Sequence, residues 1–214
     1  MSGCVTVPKD NATVLAIEER QRMLAALSVW QMTGRIGLTS STEAVSGDIA
    51  WQQSGDSYTI GLAGPLGRRL DIEQTPGVAT LSASGQGSAR GVRADTLLSR
   101  ALGIPVPLTQ LGVWIKGAVG ENATPGFDRF GRLVQLKYSD ANGVRWVARI
   151  KRYLQVDASG FTELKSAGQI DLPGLIEITG DEYSIRLLVK SWQGLAPDAA
   201  EKPSGNGRLA IPGG

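Results

Sequence analysis

The side chains able to do covalent chemistry are few and widely spaced. The chain has no histidine, which removes the commonest general base near neutral pH and the commonest metal ligand. Its single cysteine, Cys4, excludes an internal disulfide and a thiolate metal cluster. Ser-His-Asp and Cys-His catalysis are therefore excluded, and no metal site is expected. Two carboxylates, Asp48 and Asp56, flank one turn. A hydrolase could use such a pair, but acids beside a turn more commonly cap it. No residue is assigned a catalytic role.

Two short segments point to lipid rather than to bond chemistry. The chain begins Met1-Ser2-Gly3-Cys4. Small residues before a lone cysteine resemble the box at which secreted lipoproteins are cleaved and acylated, with Met1 where leucine is usual. The plainer reading is a chance cysteine. The second segment is Gly64-Pro65-Leu66-Gly67-Arg68-Arg69. It puts a leucine at a turn tip, where polar residues are usual. On pattern alone, Leu66 folds back onto the core and both arginines are solvated. The alternative is a leucine that dips into a membrane while the arginines meet anionic headgroups.

The elements that must position these segments follow from periodicity. From Ala12 to Val29, Val14, Ile17, Leu24 and Leu27 recur at helical spacing. The period then changes to two. Short alternating runs at 30–40, 44–51, 58–62, 70–72, 78–84 and 88–92 are separated by glycine-rich turns. Asp95 is placed to cap a helix carrying Leu97, Leu98 and Leu102, ended by Gly103. After the rigid link Ile104-Pro105-Val106-Pro107, a second helix carries Leu108, Leu111, Trp114 and Ile115 up to Gly117. Strands resume at 132–139 and 144–152 across Asp140-Ala141-Asn142-Gly143, whose Asn-Gly pair is a strong hairpin signal. They continue at 175–178 and 183–189.

The expected fold class is mainly β: an antiparallel barrel or half-barrel of about ten or eleven strands, with an N-terminal helix and short helices docked on it. Residues 11–193 form a single domain, 1–10 a spacer, and 194–214 a disordered tail rich in Ala, Pro and Gly. The 28 glycines suit many turns, and the net charge of +2 is too small and diffuse for a nucleic-acid partner. No run of about 18 apolar residues marks a membrane-crossing helix. The inward faces are Trp, Leu, Ile, Val and Ala. Periodicity cannot separate a packed core from an apolar cavity.

The chain also resembles the LolB family of outer-membrane lipoprotein receptors. The resemblance rests on Trp30-Gln31-Met32-Thr33-Gly34-Arg35-Ile36, Ala50-Trp51-Gln52-Gln53 and Gly64-Pro65-Leu66-Gly67. It continues in Ile104-Pro105-Val106-Pro107-Leu108, in Trp114-Ile115-Lys116-Gly117, and in Trp146 opposite Tyr138. These segments run in order from about residue 11 to 193. The resemblance implies an unclosed barrel whose helices cover a cavity for acyl chains. That cavity would be lined by Trp51, Ile60, Leu62, Leu70, Ile72, Leu97, Leu98, Leu102, Leu111, Trp114, Ile115, Trp146, Ile185 and Leu187. It further implies a lipid anchor at Cys4, insertion into the outer membrane through Leu66, lipoprotein cargo, and a LolA-like periplasmic carrier. The expected protein is a monomer on the periplasmic face of the outer membrane, without a cofactor or enzymatic activity.

Overall fold

The computed structural model describes residues 11–40, 44–103, 106–140 and 143–195. Cys4 and the 1–10 spacer, Ile104-Pro105, Ala141-Asn142 and the tail from 196 lie outside the described residues. Helix α1 is Asn11–Ala26. It ends before the expected Val29 because the Glu163 carboxylate accepts the backbone N–H groups of Ser28 and Val29, which turns the chain into the sheet. Six strands follow: β1 Val29–Ser40, β2 Ala44–Ser54, β3 Ser57–Ala63, β4 Arg69–Thr75, β5 Val78–Ala83 and β6 Gly87–Gly91. Helices α2 (Ala94–Leu102) and α3 (Leu108–Trp114) separate these from β7 Ala123–Phe127, β8 Leu133–Ser139, β9 Arg145–Asp157, β10 Gln169–Thr179 and β11 Tyr183–Gly194.

Sequence reading missed β7, because its Pro125-Gly126 reads as a turn. Proline is tolerated in β7 because this strand lies at the sheet edge. It also shortened β10, whose Pro173-Gly174 sits at a register shift against β9. Gly194 pairs with Trp30 and so belongs to β11 rather than to the tail. Asp95 lies inside the first turn of α2, not at its cap, which is Arg93.

The eleven strands among the described residues form one antiparallel sheet in the order β6-β5-β4-β3-β2-β1-β11-β10-β9-β8-β7. Two meanders are thus joined by one long-range pairing, β1 with β11. The sheet does not close, because β6 and β7 stand at opposite edges. It is strongly curved. A Cβ on Gly112 of α3 would lie 3.4 Å from the Trp51 ring on β2. Two residues later, the Trp114 ring sits 5.5 Å from that of Tyr138 on β8. Strands β2 and β8 are five steps apart, roughly 24 Å in a flat sheet at about 4.8 Å per strand. One short helix can touch both only if the sheet wraps around it. Gly34 permits the close approach of β1 to the bulge at Lys190 of β11, since a Cβ there would lie 2.2 Å from the Leu188 carbonyl oxygen.

Candidate functional site

The concave side of the sheet carries matched apolar rows. Trp51, Ile60, Ile72 and Leu81 lie across β2 to β5. Leu38, Ile185, Ile178, Ala148 and Leu136 lie across the other half. Helices α2 and α3 press Leu97, Leu98, Leu111 and Trp114 onto these rows, followed by Ile115. Of the residues expected to line a cavity, Trp51, Ile60, Ile72, Leu97, Leu98, Leu111, Trp114, Ile115, Trp146, Ile185 and Leu187 are buried in a single cluster. Leu62 and Leu70 pack half-buried against it. Leu102 does not join them. It is 39% exposed, the last residue of α2 before the left-handed Gly103 turns the chain away. In this conformation side chains fill most of the space between sheet and helices.

A pocket of about 650 Å³ remains at the end of the sheet where the β2–β3 and β4–β5 hairpins turn. Of the expected lining residues, only Trp51 borders it. Its wall is aromatic: Trp30 lies 5.7 Å from Trp51, and Trp51 lies 5.8 Å from Tyr58. Its rim carries the Arg93–Asp95 pair at 2.7 Å. Lys116 also lines it, buried, with Nζ donating to the Leu27 carbonyl at 2.7 Å. Burial pushes the Lys116 ammonium below its usual pKa, partly offset by the charge of Glu163. The inward faces expected from the sequence are wholly apolar, and Lys116 at this end of the sheet corrects that expectation. The Trp-Ile-Lys-Gly segment held the only signal, and burial of its lysine is not legible from spacing. The indole N–H groups of Trp30, Trp114 and Trp146 are buried without a hydrogen-bond partner among the described residues.

Leu66 lies at the other end of β3, roughly 23 Å from the pocket at about 3.3 Å per residue. It does not fold back: it is 99% exposed. Its backbone is in the left-handed region, φ 59° and ψ 31°, between Pro65 and Gly67. The Gly64 N–H donates to the Arg68 carbonyl at 2.8 Å and closes the turn. Gly47 lets the base of the turn approach β2, since a Cβ there would lie 2.4 Å from the Ala63 carbonyl oxygen. Arg68 is exposed, whereas Arg69 is engaged by Asp71 at 2.7 Å. Leu66 is thus held in a costly conformation with nothing to pack on.

The two carboxylates do not form a pair. Asp48 faces Arg35 and Lys190, each at 3.7 Å, while Asp56 sits eight residues away in the β2–β3 turn.

The family model described as outer membrane lipoprotein LolB matches residues 28–192. A protein named outer-membrane lipoprotein LolB from Cellvibrio japonicus is 31% identical over 199 residues, 90% of this chain and 91% of the relative. One of the same name from Halorhodospira halophila is 31% identical over 200 residues, 90% and 89% of the two chains. Among solved structures, a LolA superfamily protein from Nitrosomonas europaea aligns with a TM-score of 0.50 at 10% identity, over 87% of this chain and 96% of its own. A DUF1329 family protein from Desulfovibrio piger aligns with a TM-score of 0.52 at 8% identity, over 90% and 98%. These two likenesses concern the fold alone.

Proposed function

The chain belongs to the LolB family, and from that premise we propose that it is an outer-membrane lipoprotein that accepts acylated lipoproteins from a LolA-like periplasmic carrier and inserts them into the outer membrane. It acts as a monomer tethered by an acylated Cys4. The cargo's acyl chains lie between the concave sheet face and helices α2 and α3. Leu66 leads them into the bilayer. The observation that carries this reading is Leu66, fully exposed and held in left-handed backbone at the tip of a turn.

The physics of the cargo fits the architecture. A triacylated anchor holds roughly 40 methylenes, and each costs about 0.8 kcal/mol to expose to water. Release into solvent is negligible, so the chains pass from cavity to cavity and then to lipid. No covalent bond changes, and direction comes from relative affinity: the carrier holds the chains less tightly than this sheet does. Because side chains fill most of the interior, admission of whole acyl chains requires α2 and α3 to swing away from the strands. These helices have nine and seven residues and are held to the sheet chiefly by apolar side chains. Acyl chains can replace those contacts nearly one for one, so opening under cargo costs little.

The test uses a carrier loaded with a fluorescent lipoprotein, this protein, and phospholipid vesicles. Leu66→Glu is expected to accept cargo at the normal rate and to fail at delivery to vesicles. Normal delivery by that variant would sink the insertion role and leave a protein that only holds lipid.

A further inference from the structure

The outer face of the sheet carries charge that the transfer of acyl chains does not use. On the side away from the helices, Arg35, Leu188, Leu175 and Arg152 form one lateral row across β1, β11, β10 and β9. The same row continues through Asp48 and Ala63 to Arg69, so it reaches both flanks of the Leu66 turn. The next row holds Arg186, Glu177 and Arg149. Lys151 and Lys190 join through ion pairs at 3.6 Å and 3.7 Å. Two carboxylates in the field are each shared by two cations: Asp48 by Arg35 and Lys190, Glu177 by Lys151 and Arg186; Asp71 holds Arg69 alone. The four shared contacts are between 3.6 and 3.9 Å, on side chains at least 39% exposed. Arg149 and Arg152 are exposed as well. Acidic side chains at the nearby turns, Asp181 and Glu182, do not balance this excess; Asp181 already faces Arg145 at 3.7 Å. The whole chain has a net charge of only +2, so this face concentrates the positive charge.

We propose that this outer face of β1, β2 and β9 to β11 docks on anionic phospholipid headgroups and lays the protein against the bilayer at which Leu66 inserts. The proposal rests on the membrane reading of Leu66. Three features favour a bilayer over an acidic protein. The strand row that carries the field leads to the exposed apolar tip, where Arg68 is exposed beside Leu66. The field is a spread of long, flexible cations with no concavity to match a folded surface. Its shared ion pairs are long and exposed, so trading them for phosphate costs little. A smeared negative surface asks only for charge density.

The experiment measures co-sedimentation of the full chain with phosphatidylcholine vesicles containing or lacking phosphatidylglycerol. Binding is expected only with phosphatidylglycerol, and it should fall as salt rises and the screening length shortens. Each cation near such a surface is worth about fivefold in affinity. The exposed triple variant Arg149→Gln, Lys151→Gln and Arg186→Gln should therefore bind roughly 100-fold more weakly. A matched variant with Arg22→Gln, Arg100→Gln and Arg129→Gln, which lie off this face, should bind as the parent does. Equal binding by the first triple overturns the proposal. So does a loss of cargo uptake from the carrier, measured without vesicles, while vesicle binding persists; that result assigns the face to an acidic protein. Failure of the Leu66 role reads out separately, as normal delivery by Leu66→Glu with this vesicle binding unchanged.

Discussion

Replacing Leu66 with glycine should move stability and function in opposite directions. A leucine in the left-handed region costs about 1–2 kcal/mol relative to a residue without a Cβ. Glycine returns about 0.5–1 kcal/mol of that through the larger entropy of its unfolded chain. The side chain is 99% exposed, so no burial is lost in the exchange. The net expectation is a gain of about 0.5 kcal/mol. For a chain of this size that is a rise of roughly 1–2 °C in Tm, measurable by calorimetry or circular dichroism. Function should go the other way. Burying a leucine side chain in an apolar medium is worth about 1.5–3 kcal/mol, so its loss should slow delivery of cargo to vesicles roughly 10- to 150-fold. Uptake from the carrier should not change. A fall in Tm of several degrees would refute the geometric reasoning, since it would mean that the leucine packs on something. Undiminished delivery would refute the functional reasoning while leaving the geometry intact.

Two other perturbations probe the scaffold. Burial raises the phenol pKa values of Tyr58 and Tyr153 above the ordinary 10.0. A folded-state value raised in this way contributes stability that is complete below pH 10 and is lost as pH climbs through the raised value. Denaturant midpoints should therefore fall above pH 10, and Tyr153→Phe, which also gives up the 2.7 Å bond to the Leu133 carbonyl, should flatten that fall; an unchanged profile would mean that the phenol ionises freely in the fold. In β1, Gly34→Ala should cost about 1–3 kcal/mol by overpacking, because its Cβ would strike the Leu188 carbonyl oxygen at 2.2 Å. Gly37→Ala, three residues on and facing open space, should be neutral within about 0.5 kcal/mol. Equal melting of the two variants would rule out the close approach at the bulge.

Local pattern carried much of this protein. Alternation of period two wrote out nearly every strand, because each strand has one face on the core and one in water. Helical spacing placed Leu97, Leu98, Leu111 and Trp114 on faces that need a sheet. The order of Trp-Gln-Gln, Pro-Leu-Gly and Ile-Pro-Val-Pro-Leu segments pointed to the family. The absence of histidine closed off most hydrolytic chemistry before any fold was considered. What stayed illegible depends on residues far apart in the chain. The pairing of β1 with β11, some 150 positions away, decides that two meanders become one sheet. The curvature that brings Trp51 and Tyr138 to a single helix follows from that pairing and its bulge. Edge position alone makes Pro125 tolerable in β7. Lys116 is buried where its ammonium meets the Leu27 carbonyl, 89 positions away in the chain, and no spacing within Trp-Ile-Lys-Gly announces that. The core and the cavity share one composition, so only packing could say that side chains now occupy the interior. Leu66 is the sharpest case. Its turn was evident from Gly-Pro and Gly, but whether the leucine faced the core or the solvent depended on the sign of one φ angle, set by how the Gly64–Arg68 bond closes the loop over Gly47.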